Sequence, residues 1–152
     1  MPAYAGGTMS HKLVAIATTS VKATRRQVWD ALVSPAAIKQ YMFGADVHSQ
    51  WTSGSKITWT GEMQGKKYED KGVILNIVPE QTLRYTHFSP SSGKPDEAEN
   101  YHTVCIELSG SGGETKVSLS QNNNANENAR AESETNWGTM LKGLKQYVEQ
   151  AP

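Results

Sequence analysis

The chain has 152 residues, with 15 basic and 15 acidic side chains and no formal net charge. That length sets one domain as the expectation and suffices for a core without disulfides or metals; the charge balance excludes the basic bias of a nucleic-acid binder. The single cysteine, Cys105, forbids an internal disulfide and fits a reducing, cytoplasmic setting, and no apolar run reaches the length of a membrane span.

Residues 1–9, MPAYAGGTM, read as a disordered leader, which leaves 10–152 as the folded domain. The stretch HKLVAIATTSV has the basic start and short apolar run of a signal peptide. Thr18, Thr19 and Ser20 interrupt that run, however, and its alternation reads as a strand over 13–21. ATRRQVWDALVSP then reads as a helix, with Thr24 and Gln27 at capping-box spacing. Pro35 opens a second short helix, PAAIKQYMF, which Gly44 stops. From there to about residue 122 the pattern is β: ADVHSQW, KITWTGEMQ, KYEDKGVILNIV, TLRYTHF, NYHTVCIEL and TKVSLSQ, separated by turn signals and one long polar loop at 89–99. Six or seven strands on mostly short connections imply an antiparallel sheet.

The last segment begins in a run of asparagines. Asn124 as N-cap with Glu127 three residues on predicts a helix from Ala125 to Gln150, about 39 Å long at about 1.5 Å per residue. Trp137, Met140, Leu141, Leu144, Tyr147 and Val148 follow helical spacing. Extended backwards, the same stripe meets Arg130, Ser133 and Glu134, so its N-terminal half is polar. Either that half passes over a cavity mouth or it overhangs the sheet into water. A strand, two short helices, an antiparallel sheet and a long C-terminal helix make an α+β architecture.

His102 and Cys105 invite reading as a base and a nucleophile. Strand alternation separates them: His102, Val104, Ile106 and Leu108 share the apolar face, Thr103, Cys105 and Glu107 the other. In the preceding strand, Leu83, Tyr85 and His87 share the inner face. A hairpin around the 89–99 loop brings His87 and His102 together, either as rim histidines or as an acid/base pair. A metal site would need a third ligand from Asp96, Glu99 or Glu134, and no ligand spacing supports one, so neither metal nor cofactor is expected.

The stretch VKATRRQVWDALVSPAAIKQYMFGADVHSQWTSGSKITWTG resembles the opening of the START-like (SRPBCC) superfamily. Its nearest branch is the homologues of the activator of heat-shock-protein ATPase. VWDALVSP, WTSGS, YEDKGVILNIVPEQTLRYTHF and ETNWGTMLKGLKQYV recur in family order, and the resemblance covers 13–150. It implies a helix-grip fold, a curved antiparallel sheet wrapped around the C-terminal helix, with a hydrophobic cavity between them.

On that basis the expected function is binding of a small, largely apolar molecule. The candidate contacts are Trp59, Tyr85, His87 and His102 from the sheet, with Val104 beside them. Glu134, Trp137 and Leu141 come from the helix. Tyr85, His87, His102 and Glu134 would orient the ligand and burial would supply most of the affinity. Two rival readings stand beside it. One is a cyclase, hydrolase or isomerase using the same cavity, with a histidine as base and Tyr85 as proton donor. The other is an interaction module that stimulates a chaperone ATPase. No residue is assigned a catalytic role, binding is favoured over enzyme activity, and a monomer or dimer is expected.

Overall fold

The computed structural model describes residues 13–150; the leader expected at 1–9 lies outside the described residues. Strand β1 (Ala15–Val21) leads into helix α1 (Arg25–Leu32). The predicted capping box forms there: Thr24 Oγ1 accepts the Gln27 N–H at 3.1 Å, and Gln27 Oε1 accepts the Thr24 N–H at 2.8 Å. Ser34 caps α2 (Pro35–Tyr41) by accepting the Ala37 N–H, with Pro35 in the first turn. Left-handed Phe43 and Gly44 then turn the chain into β2 (Asp46–Ser49).

Strand β3 (Lys56–Met63) and the 13-residue β4 (Lys66–Val78) form a hairpin through Gln64 and Gly65. Both have positive φ, 52° and 81°, as a two-residue turn matched to strand twist requires. Strands β5 (Thr82–His87), β6 (His102–Ser109) and β7 (Thr115–Gln121) follow. The sheet has seven strands in the order β1-β7-β6-β5-β4-β3-β2, every neighbouring pair antiparallel. β4 carries a register shift between Ile74 and Asn76 against β5. The 89–99 loop contains two short 3₁₀ turns and is tied to the outer sheet face. There Lys71 pairs with Asp96, Tyr101 donates its O–H to Asp96 at 2.7 Å, and Phe88 stacks on Tyr101.

Helix α3 (Glu127–Gln150) packs on the inner face, burying Met140, Leu141, Leu144 and Val148. They meet Val28 and Leu32 of α1, Ile38 of α2, and Ile57, Ile74, Leu83, Ile106, Val117 and Leu119 of the sheet. The helix starts two residues later than its spacing predicted. Asn126, not Asn124, accepts the Ala129 N–H and caps it. Asn124 is buried and used elsewhere: its Nδ2 donates to the carbonyls of Leu13 (2.7 Å) and Gln121 (3.2 Å), and its Oδ1 accepts from Ser133 Oγ at 2.9 Å. The polar half of the inner stripe is therefore neither a cavity mouth nor a free overhang. Ser133 is bonded to Asn124, and Glu134 accepts the Ile16 N–H of β1 at 3.0 Å.

Candidate functional site

A cleft of about 510 Å³ opens between the inner face of β3–β5 and one side of α3. Trp59 and Met63 of β3, Tyr68 and Asp70 of β4, and Tyr85 and His87 of β5 form its sheet side. Met42 and Phe43 after α2, Trp137 of α3, and Ser89 and Ser91 complete it, and Lys66 and Lys67 stand at the rim. Most of this surface is apolar. Phe43 and Met63 are 62% and 57% exposed and give the mouth of the cleft an apolar lip.

Strand register builds the aromatic wall. Trp59 is inward because Ile57 and Trp59 alternate with polar neighbours, and its ring lies 5.3 Å from Tyr85 and 5.1 Å, edge-on, from His87. Tyr85 is buried, which pushes its phenol well above the usual range and keeps it neutral. Tyr68 folds its ring over Gly61, its cross-strand partner, where a Cβ would push the ring aside. Burial first, then the nearby carboxylates Asp70 and Asp46, also raise the Tyr68 phenol.

The cleft holds one close polar pair. Asp70 sits directly opposite Trp59 in the β3–β4 register, and the His87 Nε2–H donates to Asp70 Oδ2 at 2.9 Å. Asp70 Oδ1 is shielded from water and has no hydrogen-bond partner. Gly72 makes the pairing of these two strands possible: a Cβ there would lie 1.7 Å from the Thr86 carbonyl oxygen, so only glycine lets β5 approach β4 so closely.

Of the residues expected at a ligand, Trp59, Tyr85, His87 and Trp137 line this cleft. His87 and His102 are direct cross-strand partners with rings 6.3 Å apart, yet His102 stands behind His87 and does not line the cleft. Its Nδ1–H donates to the Asn122 carbonyl at 3.0 Å. Burial is the main reason its pKa falls below the usual 6.5; the Asn122 bond opposes this, and His87 and Lys94 add to it. Val104 and Leu141 lie in the core, each about fully buried. Glu134 is away from the cleft, on the β1 edge, where the Ile16 N–H and then Arg130 hold its carboxyl below the usual range. Cys105 faces away from His102 on the other side of β6, between Arg84 and Ser120. Among the described residues, no group of three or more His, Cys, Asp or Glu is placed to hold a metal ion.

Asp70 is the polar cleft residue that sequence reasoning missed. Alternation over YEDKG puts Tyr68, Asp70 and Gly72 on one face, so a carboxylate on the inner side was readable in principle. Its importance depends on the Trp59 register, which sequence does not supply.

An open antiparallel sheet holding a long C-terminal helix, with a cleft between them, defines the helix-grip class of α+β proteins. The model of the family described as Activator of Hsp90 ATPase homolog 1-like protein matches residues 22–149, and the chain belongs to that family. Among solved structures, ChR145 from Cytophaga hutchinsonii is 49% identical, with 90% of this chain and 93% of that one covered and a TM-score of 0.79. The Aha1 dimer from Colwellia psychrerythraea (18% identity, 90% and 96% covered, TM-score 0.69) shares the fold. So does NE0264 from Nitrosomonas europaea (19%, 91% and 96%, TM-score 0.73). No curated protein matches the chain. No helix among the described residues is long and apolar enough to cross a membrane.

Proposed function

We propose that the protein binds a small, largely apolar molecule in the cleft between its sheet and α3. The observation that carries this reading is the cleft itself: about 510 Å³, walled by Trp59, Met63, Tyr68, Tyr85 and Trp137, with one polar pair inside. That volume suits a small-molecule site, and aromatic walls with few polar groups are the usual composition of one. Burial of the ligand's apolar body supplies the affinity, and the polar pair supplies orientation. The exposed Phe43 and Met63 at the mouth would close over a bound molecule.

Native mass spectrometry of protein purified from its own cells tests this. A small-molecule adduct that disappears on denaturation is the expected result. Absence of any adduct, together with unchanged tryptophan fluorescence on titration with an apolar dye, would remove the reading.

The Asp70–His87 pair favours one second reading, an enzyme acting on the same ligand with His87 as base. The extracted molecule, returned to the protein, would then change in mass, and His87→Ala would abolish the change while leaving binding intact. An unchanged mass discards the enzyme and keeps the binding protein.

A further inference from the structure

We infer that the ligand carries a hydrogen-bond acceptor, a carbonyl oxygen, on its apolar body, and that the Tyr85 hydroxyl donates to it. The inference rests on the binding reading above and names the functional group that the site selects.

The polar atoms around the cleft are nearly all engaged. Asp70 and His87 bond to each other, and Asp70 Oδ1 is sealed from solvent. The hydroxyls of Ser89 and Ser91 are joined at 2.8 Å, and the Trp137 Nε1–H is taken by Gln121. Lys66 and Lys67 are exposed at the rim and Tyr68 is half-buried, so water reaches them. Tyr85 and Trp59 differ from these. Each lines the cleft and is only 5% exposed, yet neither the Tyr85 O–H nor the Trp59 Nε1–H has a hydrogen-bond partner among the described residues. Neither atom is sealed as Asp70 Oδ1 is, so both keep a surface that a second molecule can touch. Buried tyrosines and tryptophans usually find a partner for these groups. Tyr41 of the same core does so, donating its O–H to the Ala31 carbonyl at 2.8 Å.

Donor chemistry decides what the missing partner is. An indole N–H donates and never accepts. Burial pushes the Tyr85 phenol well above its usual range, so its proton stays in place. One wall of the cleft therefore holds two protons without an acceptor. The phenol is also fixed in place: its cross-strand partners Ile74 and Val104 are buried, and its ring lies 5.3 Å from that of Trp59. A donor held this way loses little freedom on binding. A carbonyl on an apolar body satisfies it. A pure hydrocarbon would cut the hydroxyl off from water and give nothing in exchange.

Two ligands of nearly equal shape test the inference: benzophenone, and its methylidene analogue, in which carbon replaces the carbonyl oxygen. The ketone accepts hydrogen bonds and donates none, so a preference for it reports donation by the protein. Binding to the full chain and to its Tyr85→Phe variant is followed by the indole N–H resonances of Trp59 and Trp137. Tyr85→Phe should weaken the ketone about fivefold, the net worth of one neutral hydrogen bond, and move the alkene by less than about twofold. The infrared carbonyl band of the bound ketone should lie lower in the natural chain than in the variant. The urea midpoint of the variant should be no lower than that of the natural chain, because the hydroxyl serves no protein group. Equal weakening of both ligands, or of neither, overturns the inference and leaves the cleft reading standing. So does a carbonyl band at the frequency found in hexane, or a clearly lower urea midpoint. Failure of both ligands to bind the natural chain overturns the cleft reading and the inference with it.

Discussion

The position of His102 favours its neutral form. The ring is half-buried beside His87, and its Nδ1–H already serves the Asn122 carbonyl, so a second proton on Nε2 would be a poorly solvated charge. Its pKa therefore lies below the usual 6.5. The unfolded chain then binds more protons than the folded one once the pH drops below that value. The stability contributed is intact above 6.5 and is lost as pH falls through the window beneath it. Melting temperatures between about pH 7 and pH 5 should fall less steeply for His102→Gln than for the natural chain. Parallel profiles would show that His102 is not the source of the slope. Gly72 makes a second prediction of the same scale. A methyl group placed 1.7 Å from the Thr86 carbonyl oxygen meets backbone, which has no rotamer to yield with. Gly72→Ala should cost about 2–3 kcal/mol in urea unfolding with an unchanged m-value, through strand separation. A loss below about 0.5 kcal/mol, the range of ordinary surface changes, would refute the close-approach argument.

At the scale of elements, α3 protects an edge of the sheet. β1 is an outer strand, and its outward backbone groups would otherwise be open to pairing with another chain. Three helix side chains occupy them: Glu134 accepts the Ile16 N–H, Glu149 accepts the Lys22 N–H at 2.8 Å, and Lys145 donates to the Ser20 carbonyl. Both carboxyls are held below their usual range, Glu134 first by the Ile16 amide and Glu149 first by Lys145. Their support is thus complete above the unfolded value of 4.5 and disappears as pH falls through the lower folded values. The double variant Glu134→Ala/Glu149→Ala should melt lower at neutral pH, lose less on acidification, and self-associate more in sedimentation velocity. An unchanged melting temperature and unchanged sedimentation would show that the edge is protected by other means. These contacts also mark where sequence reading stopped. The capping box at Thr24–Gln27 and the Pro35 start were legible because each is closed within a few residues. Glu134 was placed toward a ligand because the helical stripe points it inward, and its actual partner is an amide 118 positions away. Likewise, Asn122, Asn123, Asn124 and Asn126 are chemically equivalent caps in sequence. Which one caps α3 is decided by the remote Leu13 carbonyl that captures Asn124. His87 and His102 were found together because hairpin pairing follows from adjacency, whereas Asp70 needed the register of a different pair of strands.

Across the whole molecule, Asn124 joins the start of the chain's first strand, the end of its last strand and its C-terminal helix. Its amide donates to Leu13 and Gln121, and its carbonyl accepts from Ser133 and from Gln121 Nε2 at 3.3 Å. Gln121 passes the constraint on, since its Oε1 accepts the Trp137 Nε1–H, and Trp137 lines the cleft. The helix is thus fixed against the sheet by a polar lock at one end and by Met140, Leu141 and Leu144 along the middle. Apolar packing alone tolerates small slides of a helix over a sheet, but a satisfied buried polar network admits one register. Asn124→Ala leaves the carbonyls of Leu13 and Gln121 and the hydroxyl of Ser133 without this partner, and should cost about 2–3 kcal/mol. Asn124→Asp keeps the shape but turns the donating nitrogen into an oxygen facing two carbonyls, so it should be the more destabilising of the two at neutral pH. Urea unfolding of both variants, with the Trp137 indole resonance as a local reporter, separates the lock from simple loss of volume. Were Asn124→Asp as stable as Asn124→Ala, the contribution would be one of packing. With the order as argued, Trp137 should shift in both variants, because the position of the cleft's helical wall is set at Asn124.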